Sequence, residues 1–254
     1  MNPLHATLIA KAGYDNGFEN AVEQAGQAVM LSSARHTSSL RIASESGGYQ
    51  VEVLLGTQAL RHELEREFAG GVPQETFQCA DESRLHAFLS RAAALSRSLP
   101  SQAADDYQNE LAAELGQLPQ HLHGTEVERL VRQRIGQDKY RNAMLDYWDG
   151  ACAVTGIHIP ELLRASHAKP WAECASDAER LDVFNGFLLA AHLDALFDRF
   201  LISFDAQGKI MFANALEAVQ LQTIGVTTEL NLRRIEPRHE PYLQWHRKQL
   251  GSRL

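Results

Sequence analysis

Over some thirty residues the chain sets out Ser166-His167 within ASHAKPW, Asn185-Gly186 after LDVF, and His192, Asp194 and Asp198 within AAHLDALFD. An imidazole, a carboxamide and several nitrogen and oxygen ligands at that spacing suit metal-assisted cleavage of a phosphodiester. Three things make that bond resistant: water is a poor nucleophile, negative oxygens shield the phosphorus, and the leaving alkoxide is a strong base. A neutral imidazole answers the first near physiological pH, and a divalent cation answers the other two. His167 is the candidate base. It is expected on a short strand stopped by Pro170, where it is held more rigidly than on a loop. The other histidines, among them His121, His123, His239 and His246, have no such company.

The elements that must position these groups are readable nearby. LLRASHAKPW predicts a strand, NGFLL an extended segment, and the residues through Asp198 a helix, giving the order strand, turn, strand, helix. FLISFD and KIMFA flank Ala206-Gln207-Gly208 as a hairpin. Upstream, residues 126–150 carry apolar side chains at helical intervals, with Thr125 as N-cap and Gly136 expected to divide the run into two helices. Arg129, Arg132, Arg134, Lys139 and Arg141 concentrate cations there, a candidate phosphate-facing side that charge alone reads rather as a solvated helix face.

Three blocks in order, SHAKPW, NGFLL and LFDRFLISF, resemble those of HNH endonucleases with the ββα-metal fold, over residues 134 to 212. The resemblance implies that His167 is the general base and that Asn185 spans the loop and orients it. It also implies a metal ligand on the helix. His192, Asp194 and Asp198 stand seven, nine and thirteen residues after Asn185, and the family's usual position is eight or nine, so Asp194 is favoured with His192 adjacent. Asp194 and Asp198 share a helix face, whereas His192 and Asp194 diverge unless the helix starts at or after His192. Ser166 occupies a place where the fold often has Asp or His, a stronger ligand. Few protein ligands and more waters suit Mg²⁺, with Mn²⁺, Ni²⁺ or Zn²⁺ as alternatives. Arg164, Lys169 and Arg199 are candidate contacts to flanking phosphates.

Composition bounds the rest. The fold class expected is α+β: a small α+β domain over 1–98, a helical connector over 99–125, and a C-terminal ββα-metal domain over 126–254. In the first, SSLRIAS and YQVEVLL form a hairpin around residues 45–48, followed by helices over 57–68 and 84–99. Cys79, Cys152 and Cys174 are too few and too scattered for a zinc knuckle or a disulfide framework. No apolar run is long enough to span a membrane and the first ten residues lack a basic signal start, so a cytoplasmic protein is expected. The net charge of −8 argues against a protein that coats nucleic acid, but residues 1–125 hold −7 of it and 126–254 only −1. Residues 229–254 carry six cations, a further candidate for backbone contact. DNA is the expected partner, and a homodimer is attractive for double-strand cutting. Two competitors remain: an inactive HNH scaffold that binds or regulates DNA, favoured by Ser166 and the displaced His192, and a sensing module over residues 1–98 with the nuclease as effector.

Overall fold

The computed structural model describes residues 3–24, 28–45, 47–69, 71, 73, 75–100, 102–213 and 218–252, without the side chains of 121 and 218–220. Ser46, Gly70 and Arg253, expected in a turn, at a helix stop and in a basic tail, lie outside the described residues. Two compact units divide the chain, residues 1–102 and 103–254. No described helix is long and apolar enough to cross a membrane.

In the first unit α1 (Pro3–Asp15) precedes an antiparallel meander of β1 (Asn20–Gln24), β2 (Ala28–Ser32), β3 (Ser39–Glu45), β4 (Gly48–Leu55) and β5 (Thr76–Cys79). Helix α2 (Gln58–Phe68) lies between β4 and β5, and α3 (Glu82–Ser98) follows β5. The two expected strands pair Leu40 with Val53 and Ile42 with Val51. All four are buried, while Arg41 and Glu52 meet at 3.6 Å on the opposite face, the period-two pattern of a half-covered sheet. Thr57 and Asp81 cap α2 and α3 by accepting from the amides of Leu60 (3.1 Å) and Arg84 (2.8 Å). Helix α1 carries small residues on its inner face, and Gly13 lets Leu31 approach so closely that a Cβ would stand 2.8 Å from it.

The second unit opens with α4 (Gln102–Gln117), whose first residue is the last of the first unit. Most of the expected connector is therefore helix, and it buries Tyr107 and Leu111. Next come α5 (Glu126–Tyr147), β6 (Leu163–His167), α6 (Asp177–Arg180), β7 (Gly186–Ala190), α7 (Ala191–Asp198), β8 (Ile202–Phe204), β9 (Ile210–Phe212), α8 (Ala218–Thr223) and α9 (Glu240–Lys248). Strands β6 and β7 are antiparallel, from Leu163 opposite Ala190 to His167 opposite Gly186, and α7 packs back on them. The expected order of two strands and a helix is present, as is the β8–β9 hairpin.

One expectation is corrected here. Helix α5 is unbroken over 22 residues, and Gly136 serves packing: a Cβ there would stand 2.1 Å from the Trp171 indole. One interior glycine costs a helix about 1 kcal/mol, less than the tertiary contacts of a long helix return. Among the described cations of the basic tail, Arg233, Arg238 and Lys248 are exposed, and four arginines are anchored within the unit. Arg233 donates to Cys152 O (3.0 Å), Arg234 lies 4.3 Å over the Tyr147 ring, Arg238 lies 4.3 Å over Phe184, and Arg247 donates to Phe204 O (3.0 Å). These guanidiniums fasten the C-terminal residues to the aromatic core.

That core gathers Tyr147, Trp148, Phe184, Phe187, Phe197 and Phe204, all at most 2 % exposed, with two buried histidines among them. His239 stacks on Phe187 and His246 on Phe197, at ring separations of 5.2 and 3.9 Å. His246 is satisfied at both nitrogens, by Ser203 Oγ and by Phe197 O, each at 3.0 Å. Burial pushes both imidazoles down to about 4.

Candidate active site

His167 ends β6, and its surroundings define its chemistry. Nε2 lies 2.8 Å from Arg180 O. A carbonyl only accepts, so Nε2 carries the hydrogen, and the neutral ring keeps its lone pair on Nδ1. No hydrogen bond to Nδ1 occurs among the described residues. Burial pushes the imidazole down to about 4, partly offset by that backbone bond, so the ring is neutral at physiological pH. Tyr140 of α5 stacks on the imidazole at 3.8 Å and 20°, and Trp171 meets it edge-on at 6.1 Å.

The carbonyl that holds His167 is itself held. Arg180 donates to Trp171 O (3.1 Å), Cys174 O (2.8 Å) and Asp177 Oδ1 (2.9 Å), folding the β6–β7 loop into a clip around its own backbone. Asn185, fully buried, closes the clip from the other side. Its Oδ1 accepts from Lys169 N (2.8 Å), while Nδ2 donates to Lys169 O (3.2 Å) and Glu179 O (3.1 Å). Tyr140 OH donates to Asn185 O (3.0 Å), joining the clip to α5. Asn185 thus acts on the loop and makes no hydrogen bond to the imidazole. Gly186 must follow it: φ is +150°, and a Cβ would stand 1.9 Å from Ser166 O.

A cleft of about 310 Å³ opens beside these groups, lined by Gln137, Tyr140, Arg141, Arg164, Ala165, His167, Trp171 and Asp194. His167 and Asp194 therefore face a common space. Ser166, 3 % exposed, turns to the other side of β6 and donates to Asp194 Oδ1 at 2.5 Å. Helix α7 starts at Ala191, one residue before His192, so the condition that would have let His192 join Asp194 is not met. Neither His192 nor Asp198 lines the cleft; Asp198 is exposed at the helix end. No group of three or more His, Cys, Asp or Glu suited to a metal occurs among the described residues.

The expected phosphate contacts separate in the same way. Arg164 lines the cleft, anchored to Glu161 O (2.8 Å) and Leu163 O (2.9 Å). Lys169 is engaged by Glu179, Nζ to Oε1 at 2.7 Å, and Arg199 is exposed just past α7, away from the cleft lining. Sequence reasoning missed Tyr140 and Gln137 and named Arg141 only as one member of a charged run. Tyr140 reads as one more apolar position on a helical stripe. The three cysteines are free and buried, and the Cys174 thiol, pushed up by burial, donates to Lys169 O (3.4 Å) inside the clip.

Two antiparallel strands and a helix, with an imidazole at the end of the first strand and a carboxylate on the helix sharing one cleft, define a ββα nuclease motif. Residues 152–205 match the family model for HNH endonuclease, from the residues before β6 through β8. The match is confined to this segment and supports HNH kinship for it. That kinship indicates DNA as substrate, and such domains generally use divalent metal ions. A search of curated proteins found no match to the chain.

Proposed function

We propose that this protein is a metal-dependent endonuclease in which His167 takes a proton from the water that attacks a DNA phosphodiester. The observation that carries this reading is the shared cleft: His167, with Nε2 committed to Arg180 O, and Asp194 line the same 310 Å³ space. Nδ1 accepts the proton as the water oxygen bonds to phosphorus; the bond to the 3′ oxygen breaks, and that oxygen takes a proton from solvent. Tyr140, Trp171 and the Asn185 clip keep the ring in the orientation the attack requires.

The donors present fit a hard cation that keeps most of its waters. Asp194 offers one carboxylate, Ser166 orients it, and the substrate phosphate completes the set, which is how Mg²⁺ is commonly held. Mn²⁺ or Ni²⁺ would be accepted by the same oxygens, whereas a closed Zn²⁺ site needs four protein ligands. Bound there, the ion would neutralise charge on the phosphate and on the leaving oxygen. A role in bacterial restriction or defence, with the first unit selecting the target or sensing a signal, follows from kinship alone.

Supercoiled plasmid tests the reading. Cleavage is expected with Mg²⁺ or Mn²⁺, loss of it with EDTA, and a fall of roughly 10²–10⁴-fold for His167→Ala at unchanged DNA affinity. The second reading, an HNH scaffold that binds DNA without cutting, is favoured by the hydroxyl at Ser166 and by His192 lying off the cleft. Binding with no cleavage in any of several divalent ions would select it.

A further inference from the structure

The cations of α5 and of the cleft lining are of two kinds. Along α5, Arg129 pairs with Glu126, Arg132 with Glu128, Arg134 with Glu114 and Lys139 with Glu110. Arg141, on the same helix, pairs with no carboxylate among the described residues. Its Nη1 donates to Leu163 O (2.8 Å) and its Nη2 to Pro160 O (3.1 Å). Arg164 is held the same way, through Nη1 to two carbonyls. A carbonyl fixes the direction of a guanidinium without cancelling its charge, and each arginine has five N–H donors, so several remain for a ligand. These two anchored, unneutralised cations line the cleft that holds His167 and Asp194.

We infer that Arg141 binds a backbone phosphate of the DNA together with Arg164, which makes α5, outside the family-matched segment 152–205, a wall of the substrate site. This rests on reading the cleft as the place where DNA is bound. The pairing pattern is what singles the residue out. The paired cations of α5 would have to give up a carboxylate to meet a phosphate, whereas Arg141 gives up nothing. Gln137, one turn earlier on the same wall, extends the polar surface along the strand's path.

Binding of a fluorescent duplex by the full chain, in EDTA and over a series of KCl concentrations, tests the inference without cleavage. Each phosphate contact contributes about −0.9 to the slope of log K against log salt. Arg141→Gln and Arg164→Gln are each expected to reduce the slope by about 1 and weaken low-salt binding about tenfold. Arg129→Gln, which removes a paired cation on the same helix, is expected to change neither. Because Arg141 also holds two carbonyls, melting temperatures are measured alongside, and Arg141→Lys, which keeps the charge, is expected to retain the slope. A wild-type slope in Arg141→Gln, or an equal loss in Arg129→Gln, overturns the proposal; should Arg141→Gln fail to fold, a slope lost in Arg141→Lys or kept in Arg164→Gln does so. Absence of DNA binding by the wild type also overturns it. A chain that binds with the Arg141-dependent slope yet cuts nothing rejects the hydrolytic reading and leaves this one standing.

Discussion

His167 can serve as a base only while Nδ1 keeps its lone pair, and the clip of Arg180 and Asn185 secures this by committing Nε2 to a fixed carbonyl. Asn185→Ala would remove the partner of the Lys169 amide and of Glu179 O and leave Lys169 O with the weaker Cys174 thiol as its donor. A loss of at least about 2 kcal/mol in chemical denaturation is expected, with cleavage falling as the loop loosens. A fall in cleavage with no loss of stability would show that Asn185 acts on substrate and not on the loop. His239 and His246 give a second expectation, concerning pH. Both are held near 4, below the value of about 6.5 in an unfolded chain, so between those limits the unfolded state binds more protons. Stability is therefore full above about pH 6.5 and declines as pH falls toward 4, by up to about 1.4 kcal/mol per pH unit for each group. Urea midpoints at pH 7.5 and 5.0 check this, and His246→Gln should reduce the difference, with His239 and the likewise depressed His167 retaining the rest.

Two glycines in neighbouring helices show what packing adds to propensity. At Gly116 in α4 nothing lies within 4 Å of an added Cβ, so Gly116→Ala is expected to stabilise by up to about 1 kcal/mol. At Gly136 the same change drives a methyl into Trp171, and the expected outcome is destabilisation of about 1–3 kcal/mol with a shifted indole emission. Equal effects at the two positions would refute the packing account. The contrast also explains what was legible in the chain. Strands β6 and β7, helix α7 and the β8–β9 hairpin follow from local periodicity and turn residues, which one segment carries in full. Gly136 as a contact, Tyr140 as the ring beneath the base, and the inward arginines of the C-terminal residues each depend on a partner distant in sequence. Periodicity assigns such residues to a face but does not say what the face meets. Helix α1 escaped notice because its inner stripe is alanine and glycine apart from Ile9, with little apolar contrast.

Each of the two units carries its own core, and both are acidic: residues 1–102 hold 8 basic and 11 acidic residues, a balance of −3, and residues 103–254 hold 16 and 21, a balance of −5. Residues 103–254, expressed alone, are expected to unfold cooperatively and to keep divalent-dependent cleavage, and residues 1–102 to fold without it. Loss of cooperative unfolding in either piece would show that the units depend on each other. A cleft with one base serves one strand at a time, so plasmid should pass through an open circle before it becomes linear, unless two copies assemble on the duplex.

The tether between His167 and the Arg180 carbonyl bears on how the protein recovers after a turnover. On the proposed role of His167, one nitrogen stays occupied and the proton taken up by the other leaves on the side of the cleft that would hold the polymer. A cut end that lingers there acts as a stopper, so regeneration waits on its departure, and a first cycle faster than all later ones is the kinetic trace of that shared exit.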